Sequence, residues 1–444
     1  MKLTNIKKTQ GKKIGVISLG CDKNRVDTEK MLSILSTEHT LTSDYDNANV
    51  IIINTCSFLE SSRKEAIYEI LSAIEMKKQG LEKIIVTGCL PQKFLDDIKD
   101  ELVEVDAFMG VSDYHQILQV IDRIYNGERV IEVGAPRGEC GVNRVLTTDG
   151  YAYLKVADGC SNHCTYCLIP AIRGKYRSVP MADLIAEAKS LGEVNELILV
   201  AQDTAKYGLD LEPQTSLVAL IRELCKLENV KGIRLMYCYP ENITDELIHE
   251  LAVNAKMIKY IDMPLQHADD GVLKLMNRKG TGQGYLDLIA KLKQRVPGIA
   301  IRSTFIAGFP RESEEAFNNL TDFLQKAKLF NAGFFKYSKE EGTAAARLDG
   351  QVAGAVKTKR YKKLYSVQKK VVKENNKALI GRTFKVVAEG FDADQLVYYG
   401  RAYFNAPDID GKIYFFSSEE VEYGKFYDIE IIKATGYDLY GERV

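Results

Sequence analysis

The sequence predicts an α/β chain in three parts: an open parallel-sheet N-terminal domain, a partial (β/α)6 TIM-like barrel, and a small C-terminal all-β barrel. Three observations carry this. Short apolar strands alternate with amphipathic helices through most of the chain, the pattern of a parallel sheet covered on both faces. Six strand–helix units follow one another in the middle, as in parallel barrels. After residue 380 the pattern changes to short strands with Gly and Asp-Gly turns.

The elements follow in order. Lys13-Ile-Gly-Val-Ile-Ser18 reads as a strand, 27–35 as a helix, and Asn49-Val-Ile-Ile-Ile-Asn54 as a strand buried on both faces. Residues 61–78 carry Ala66, Ile67, Ile70, Leu71 and Ile74 at helical spacing, and Lys83-Ile-Ile-Val-Thr87 is a third strand. Residues 1–140 are therefore read as an open, doubly wound domain. Six further strands are expected at 152–157, 196–201, 232–237, 259–263, 299–306 and 333–337. Helices are expected between them, such as 181–192, 216–227, 244–255 and 314–329. These place a barrel domain at 146–378. Residues 355–380 hold nine Lys and Arg against the single acid Glu374 and read as a helix with a solvated face. The last domain, 381–444, shows strands at 383–389, 395–404, 412–416 and 426–434. It carries seven basic and twelve acidic side chains, so it repels phosphate and attracts a cationic partner.

Composition narrows the function class. The chain has 444 residues, 45% hydrophobic and 27% charged, with a net charge of −1. That argues against a whole-protein nucleic-acid footprint. No apolar run reaches the ~20 residues that span a bilayer, and the first residues lack a signal core. A cytoplasmic protein is expected. Nine cysteines in a chain large enough to bury a core without staples point to metal or catalysis.

The sharpest motif is Asp158-Gly-Cys160-Ser-Asn-His-Cys164-Thr-Tyr-Cys167, directly after the first barrel strand. Three thiolates on one loop can hold three corners of an iron–sulfur cube, leaving the fourth iron open to S-adenosylmethionine. Structural zinc, with His163 as fourth ligand, and buried unliganded thiols are the bland readings. Cys21, Cys56 and Cys89 form a second constellation. Each follows an apolar strand, 35 and then 33 residues apart, which suits one βα unit. In a parallel sheet they converge at the switch point where open sheets bind ligands. They too suit a cluster with one open iron, although cysteines at strand ends also serve as core filler. Cys140, Cys225 and Cys238 are read as ordinary thiols.

These residues resemble the methylthiotransferase branch of the radical S-adenosylmethionine enzymes, and within it the RimO type. The likeness runs from Ser18-Leu-Gly-Cys-Asp-Lys-Asn-Arg-Val-Asp-Thr-Glu29, Asn54-Thr-Cys-Ser-Phe58 and Thr87-Gly-Cys89, through the later cysteine loop and Ile169-Pro-Ala-Ile-Arg-Gly174. It continues through Arg177-Ser178, Val200-Ala-Gln-Asp-Thr204, Met263-Pro-Leu-Gln-His267 and Phe305-Ile-Ala-Gly-Phe-Pro310 to Gly436-Tyr-Asp-Leu-Tyr-Gly-Glu442. Asp22 and Arg25 stand where the family has Pro and an aliphatic residue.

The resemblance implies a terminal TRAM domain and two 4Fe-4S clusters, one on Cys160, Cys164 and Cys167 and an auxiliary one on Cys21, Cys56 and Cys89. It implies that one S-adenosylmethionine methylates sulfur held at the auxiliary cluster. Another is cleaved to a radical that takes hydrogen from the target carbon, the β-carbon of an aspartate in protein twelve of the small ribosomal subunit. Tyr166 and Gly308 are candidates to meet the adenine. Gln202, Arg234 and Arg302 are candidates for the cofactor's carboxylate or ribose. His267 reads as a satisfied polar residue. The expected partners are a basic ribosomal protein docking on the acidic terminal domain and a reductant such as flavodoxin or ferredoxin. No membrane partner and no nucleic acid as main substrate is expected. The rivals are a tRNA-adenosine methylthiotransferase and a non-catalytic metal-binding scaffold.

Overall fold

The structure, a computed structural model, describes residues 9–138 and 143–444. Cys140 lies outside the described residues. Six parallel strands, β1 (Lys13–Ser18), β2 (Thr40–Leu41), β3 (Val50–Thr55), β4 (Lys83–Gly88), β5 (Ala107–Met109) and β6 (Val130–Glu132), form the first sheet in the order β2-β1-β3-β4-β5-β6. Every residue of β3 is buried, as its uninterrupted apolar run requires. Helices α1 (Asp22–Leu35) and α4 (Ile117–Tyr125) cover one face, where Met31 and Leu35 meet Ile117 and Ile121. Helices α2 (Glu60–Lys77) and α3 (Cys89–Ile98) cover the other through Ala66, Ile70, Leu90 and Ile98. The doubly wound domain is therefore present with six strands instead of three. The additional ones, β2, β5 and β6, have two or three residues each, too few for an alternating pattern to show.

The middle opens with β7 (Tyr151–Lys155) and a small antiparallel ladder of β8 (Ala157–Asp158) with β9 (Arg177–Ser178). It continues through β10 (Glu196–Val200), β11 (Ile233–Leu235), β12 (Met257–Asp262), β13 (Ala300–Ala307) and β14 (Asn331–Lys336). The sheet order β14-β13-β12-β11-β10-β7 is sequential, parallel and open. It is a partial barrel with β7 and β14 as its edges. Short α5 (Ile169–Ile172) and α9 (Asp270–Leu275) lie in loops. The longer α6 (Met181–Ser190), α7 (Leu217–Cys225), α8 (Asp245–Val253), α10 (Gly282–Arg295) and α11 (Glu314–Ala327) wrap the outside. Ser216, Thr244, Thr281 and Ser313 cap four of these helices by accepting the backbone N–H three residues on.

Helix α12 (Gly354–Lys377) is the basic segment. Most of its lysines are exposed, as a solvated face predicts. Its other face is a buried stripe of Leu364, Val367, Val371 and Val372, and Tyr365 meets Phe334 of β14 edge to face.

The last domain is a closed barrel, β15 (Thr383–Asp392), β16 (Val397–Arg401), β17 (Ile413–Phe416), β19 (Asp438–Arg443) and β18 (Phe426–Thr435), in that spatial order. Strand β19, beyond the four expected, closes it. This barrel forms the floor of the partial barrel. Phe384, Phe404 and Phe415 share one apolar cluster with Ile198, Val200, Met236 and Tyr260. Tyr260 donates to Asp410 (2.8 Å) and Tyr403 to the Gly298 carbonyl (3.0 Å).

Glu196, buried at the start of β10, pairs with Arg234 of β11 and with Arg401 of β16 (3.0 Å). Burial pushes its pKa up, but the two guanidiniums outweigh that and hold it below the usual carboxylate range. A depressed folded-state pKa stabilises the fold above the unfolded value of about 4.3, and that stability drains away as pH falls through the folded value. Glu196→Gln is expected to cost about 3 kcal/mol or more near neutrality, because two cations stay buried with a neutral partner. It should also flatten the acid limb of stability. Urea unfolding of both proteins from pH 7 to pH 3 checks this.

Candidate functional site

The first sheet reverses its strand order between β1 and β3, and such a switch opens a crevice at the carboxyl ends of those strands. Cys21 follows β1, Cys56 follows β3 and Cys89 follows β4, so all three stand at that end. Their packing is tight. Gly20 has φ +92°, and a Cβ there would meet Cys56 Cβ at 2.5 Å. Gly88, at φ +96°, has the Asn54 side chain 2.4 Å and the Thr55 carbonyl 2.6 Å from where its Cβ would be. Only glycine fits both places. Buried Asn24 ties the three loops together. Its Nδ2 donates to Leu19 O (3.1 Å) and Thr55 O (2.9 Å), and its Oδ1 faces Cys89 Sγ at 3.8 Å. Cys21 caps α1 and Cys89 opens α3, so both sit at positive helix ends. Asp22, in place of the family's Pro, occupies the first helical position, where a carboxylate also suits the dipole. Burial pushes the Cys89 thiol up to about 12 and raises Cys56, and the neighbouring thiols reinforce both shifts.

Cys160, Cys164 and Cys167 lie on the loop after β7 and β8, at the carboxyl end of the partial barrel. Backbone N–H groups aim at two of the sulfurs, Asn162 at Cys160 Sγ and Ile169 at Cys167 Sγ, each at 3.4 Å. Cys164 Sγ is 3.4 Å from Tyr239 Oη. Burial pushes Cys167 up to about 12 and raises Cys160. The thiols of each trio perturb one another, yet no three His, Cys, Asp or Glu among the described residues stand close enough for a single metal ion. His163, the fourth ligand of the zinc reading, is exposed, and its carbonyl accepts from Asn277. N–H donors aimed at sulfur are what iron–sulfur ligands take, so the donor set of this loop fits an iron–sulfur cluster. Cys238 is fully buried in the barrel core and Cys225 partly buried, as ordinary thiols are.

One residue joins the two trios. Arg173, fully buried, donates from Nη1 to both oxygens of Asp158 (3.2 and 3.0 Å) beside the later trio. From Nη2 it donates to Asn24 Oδ1 (2.5 Å) and Asp27 (3.0 Å) and reaches Cys89 Sγ at 4.0 Å. Lys155 of β7 also pairs with Asp27. Burial opposes the Arg173 charge, but Asp158 and Asp27 hold it firmly protonated. The same two cations keep Asp158 well below the usual carboxylate range against its own desolvation. The wall between the trios is thus a buried ion network.

The other expected residues fall in different places. Tyr166 packs edge to face on Phe309, near Arg278 and the Cys164 and Cys167 thiols. Gln202 donates to Asp158 Oδ1 (3.1 Å), with its own Oε1 buried and unpartnered. Arg302 donates to Asp262 (2.9 Å) and stands 3.4 Å from Asp410. Gly308, at φ +74°, donates to Glu312, and Lys357 of α12 occupies the space a Cβ would need. Arg234 lies in the floor, engaged by Glu196 and the Tyr403 carbonyl (2.9 Å) beneath Tyr260. His267 is buried, accepts from the Asp269 N–H and faces Glu312 at 3.3 Å. Sequence reasoning assigned no role to Asn24, Arg173, Tyr239 or Arg278. Asn24 and Arg173 lie inside quoted motifs, three residues after Cys21 and six after Cys167, which was the available signal. Arg278 stacks on Tyr239 at 3.7 Å and has no motif around it.

Comparison with known proteins agrees along the chain. Residues 13–110 match the family described as uncharacterized protein family UPF0004, 154–324 the radical SAM superfamily, and 380–444 the TRAM domain. A ribosomal protein uS12 methylthiotransferase RimO from Acetivibrio thermocellus is 44% identical over 97% of this chain and 98% of its own. The protein of that name from Clostridium botulinum (strain Eklund 17B / Type B) is 45% identical over 97% of each. In fold, the chain resembles the radical S-adenosylmethionine methyltransferase TsrM from Kitasatospora setae, at TM-score 0.54 and 14% identity over 74% of this chain and 75% of that one. No helix of the described residues is long and apolar enough to cross a membrane. The chain belongs to the RimO family of methylthiotransferases, within the radical S-adenosylmethionine superfamily.

Proposed function

We propose that the chain methylthiolates the β-carbon of an aspartate in ribosomal protein uS12, using S-adenosylmethionine both as methyl donor and as radical source. The observation that carries this is the pair of thiol trios at the carboxyl ends of two parallel sheets, with Arg173 between them. In this reading Cys160, Cys164 and Cys167 hold one 4Fe–4S cluster and Cys21, Cys56 and Cys89 the other. When bound, the first supplies the electron that cleaves the sulfonium and the second carries the sulfur to be transferred.

The chain's own residues do the positioning. Tyr166, near the Cys164 and Cys167 thiols, and Gln202, bound to Asp158, are assigned to the cofactor. Arg302 is assigned to a carboxylate. Arg234 has no part, because its guanidinium is engaged in the floor. The units 1–140, 146–378 and 381–444 serve as cluster domain, radical domain and docking domain. The acidic terminal barrel draws a cationic ribosomal protein in the cytoplasm, and a flavodoxin or ferredoxin supplies electrons.

Mass spectrometry of uS12 and of tRNA, from cells with and without this protein, tests the reading. A methylthio mass shift on the aspartate of uS12, with tRNA unchanged, is expected. A shift on tRNA alone would replace the reading by that of a tRNA-adenosine methylthiotransferase.

A further inference from the structure

We propose that the free edge of β14 takes the aspartate-bearing segment of the substrate protein as an added strand. This rests on the function proposed above and says how the segment is held.

The partial barrel has two edges, and they are treated differently. Helix α1 lies against β7, and Asp27 pairs with Lys155 there. Beyond β14 no strand follows among the described residues. Instead a cavity of about 1270 Å³ opens. That exceeds the about 300–1,000 Å³ typical of small-ligand pockets. Nine consecutive residues, 331–339, line it. The first six are the whole of β14, and side chains of a strand alternate between faces, so all six cannot reach a cavity from one face. The cavity runs along the backbone rim. Phe330 N–H donates to Ile301 O (3.0 Å). That contact precedes the strand; within it Asn331 lies opposite Arg302 and Gly333 opposite Thr304, and Tyr337 N–H donates to Ala307 O (2.9 Å). Arg302 and Thr304 turn their carbonyls to the Met263 and Gln266 N–H groups on the β12 side, so Asn331, Gly333 and Phe335 face β13, while Ala332, Phe334 and Lys336 turn their N–H and C=O groups outward, Phe334 beside Tyr365 of α12. Such a rim is a template for a peptide strand.

The walls favour a particular guest. The Asn331 Nδ2 and Tyr437 Oη atoms are buried without a hydrogen-bond partner, and both residues line the cavity. Lys64, Arg302, Lys336, Lys339 and Lys357 line it against only Glu60 and Asp410. A peptide carrying a carboxylate matches both features. An RNA strand would satisfy the cations but offers no partner to the rim. Arg302 is one of the lining cations, and Tyr237 lies within electrostatic reach of both Arg302 and Cys21. Gly333 keeps the space beside Arg302 open, since a Cβ there would stand 3.2 Å from Arg302 Nη2. Leu59, three residues after Cys56, lines the cavity as well. A side chain projecting inward from the added strand therefore heads toward the trio of Cys21, Cys56 and Cys89.

The test uses the cluster-loaded full chain with intact uS12. Amide hydrogen exchange of β14 should slow when uS12 is added. Ala332→Pro removes one outward N–H and is tolerated on an edge strand. It should raise the KM for uS12 about tenfold over Ala332→Val, the change expected for one lost hydrogen bond. The valine variant keeps the N–H and controls for the added bulk, and exchange on the native chain stands if the proline variant does not fold. Unchanged β14 exchange while uS12 is being methylthiolated would overturn strand addition and leave the function intact. Failure to modify uS12, with a tRNA anticodon stem-loop modified or protecting the cavity instead, would overturn the function and this proposal together.

Discussion

Replacing Cys164 with alanine is expected to abolish reductive cleavage of S-adenosylmethionine, and replacing Cys56 is expected to leave cleavage largely intact while stopping methylthiolation. The separation follows from placement. Cys164 lies on the barrel loop, facing Tyr239 and near Tyr166 and Arg278, whereas Cys56 is buried under Gly20 at the end of β3. The wall between them is protein, built from Arg173, Asp158 and Asp27. A cluster held by three thiolates loses a corner in either variant, and each should lose about half of the bound iron. Anaerobic assays that count deoxyadenosine and methylthiolated uS12 separately make the measurement. Equal loss of deoxyadenosine in both variants, with the fold intact, would remove the ground for two roles.

Arg173→Met should destabilise the protein by about 3–5 kcal/mol, because it strips a buried cation from two buried carboxylates. Arg173→Lys should recover part of that stability and little of the activity. A lysine cannot serve Asp158, Asn24 and Asp27 at once, as the planar fork does. The readout that a purely structural role would not move is coupling: the share of cleaved cofactor that ends as product should fall in the lysine variant even where it is fully folded. Urea unfolding gives the first quantity and product counting the second.

Much of this architecture was legible in the residues. The long apolar strands showed themselves by composition, and β3 by its unbroken run. The six cysteines showed themselves by spacing. Short elements did not, because two or three residues carry no period, and β2, β5 and β6 are held by their neighbours. Strand β19 was hidden for another reason: Asp438-Leu-Tyr-Gly-Glu-Arg443 is polar, and it becomes a strand because β17 and β18 need a partner to close the barrel. Arg234 marks a different limit. An arginine on an inward barrel strand reads the same whether it faces the upper chamber or the floor. What decides is Glu196 and Arg401, the latter well over a hundred residues away. Gly308 is similar, since the close neighbour that requires it is Lys357 on a helix the pattern had assigned to solvent.

The terminal barrel that seals the underside of the radical domain follows it in the chain, so translation reaches it only after the partial barrel has been made. Without it Tyr260 lacks Asp410, Arg302 loses one of its carboxylates, and Glu196 has one cation instead of two. A product cut short before residue 381 leaves the reaction space open to water from below, so the barrel is a condition of safe assembly.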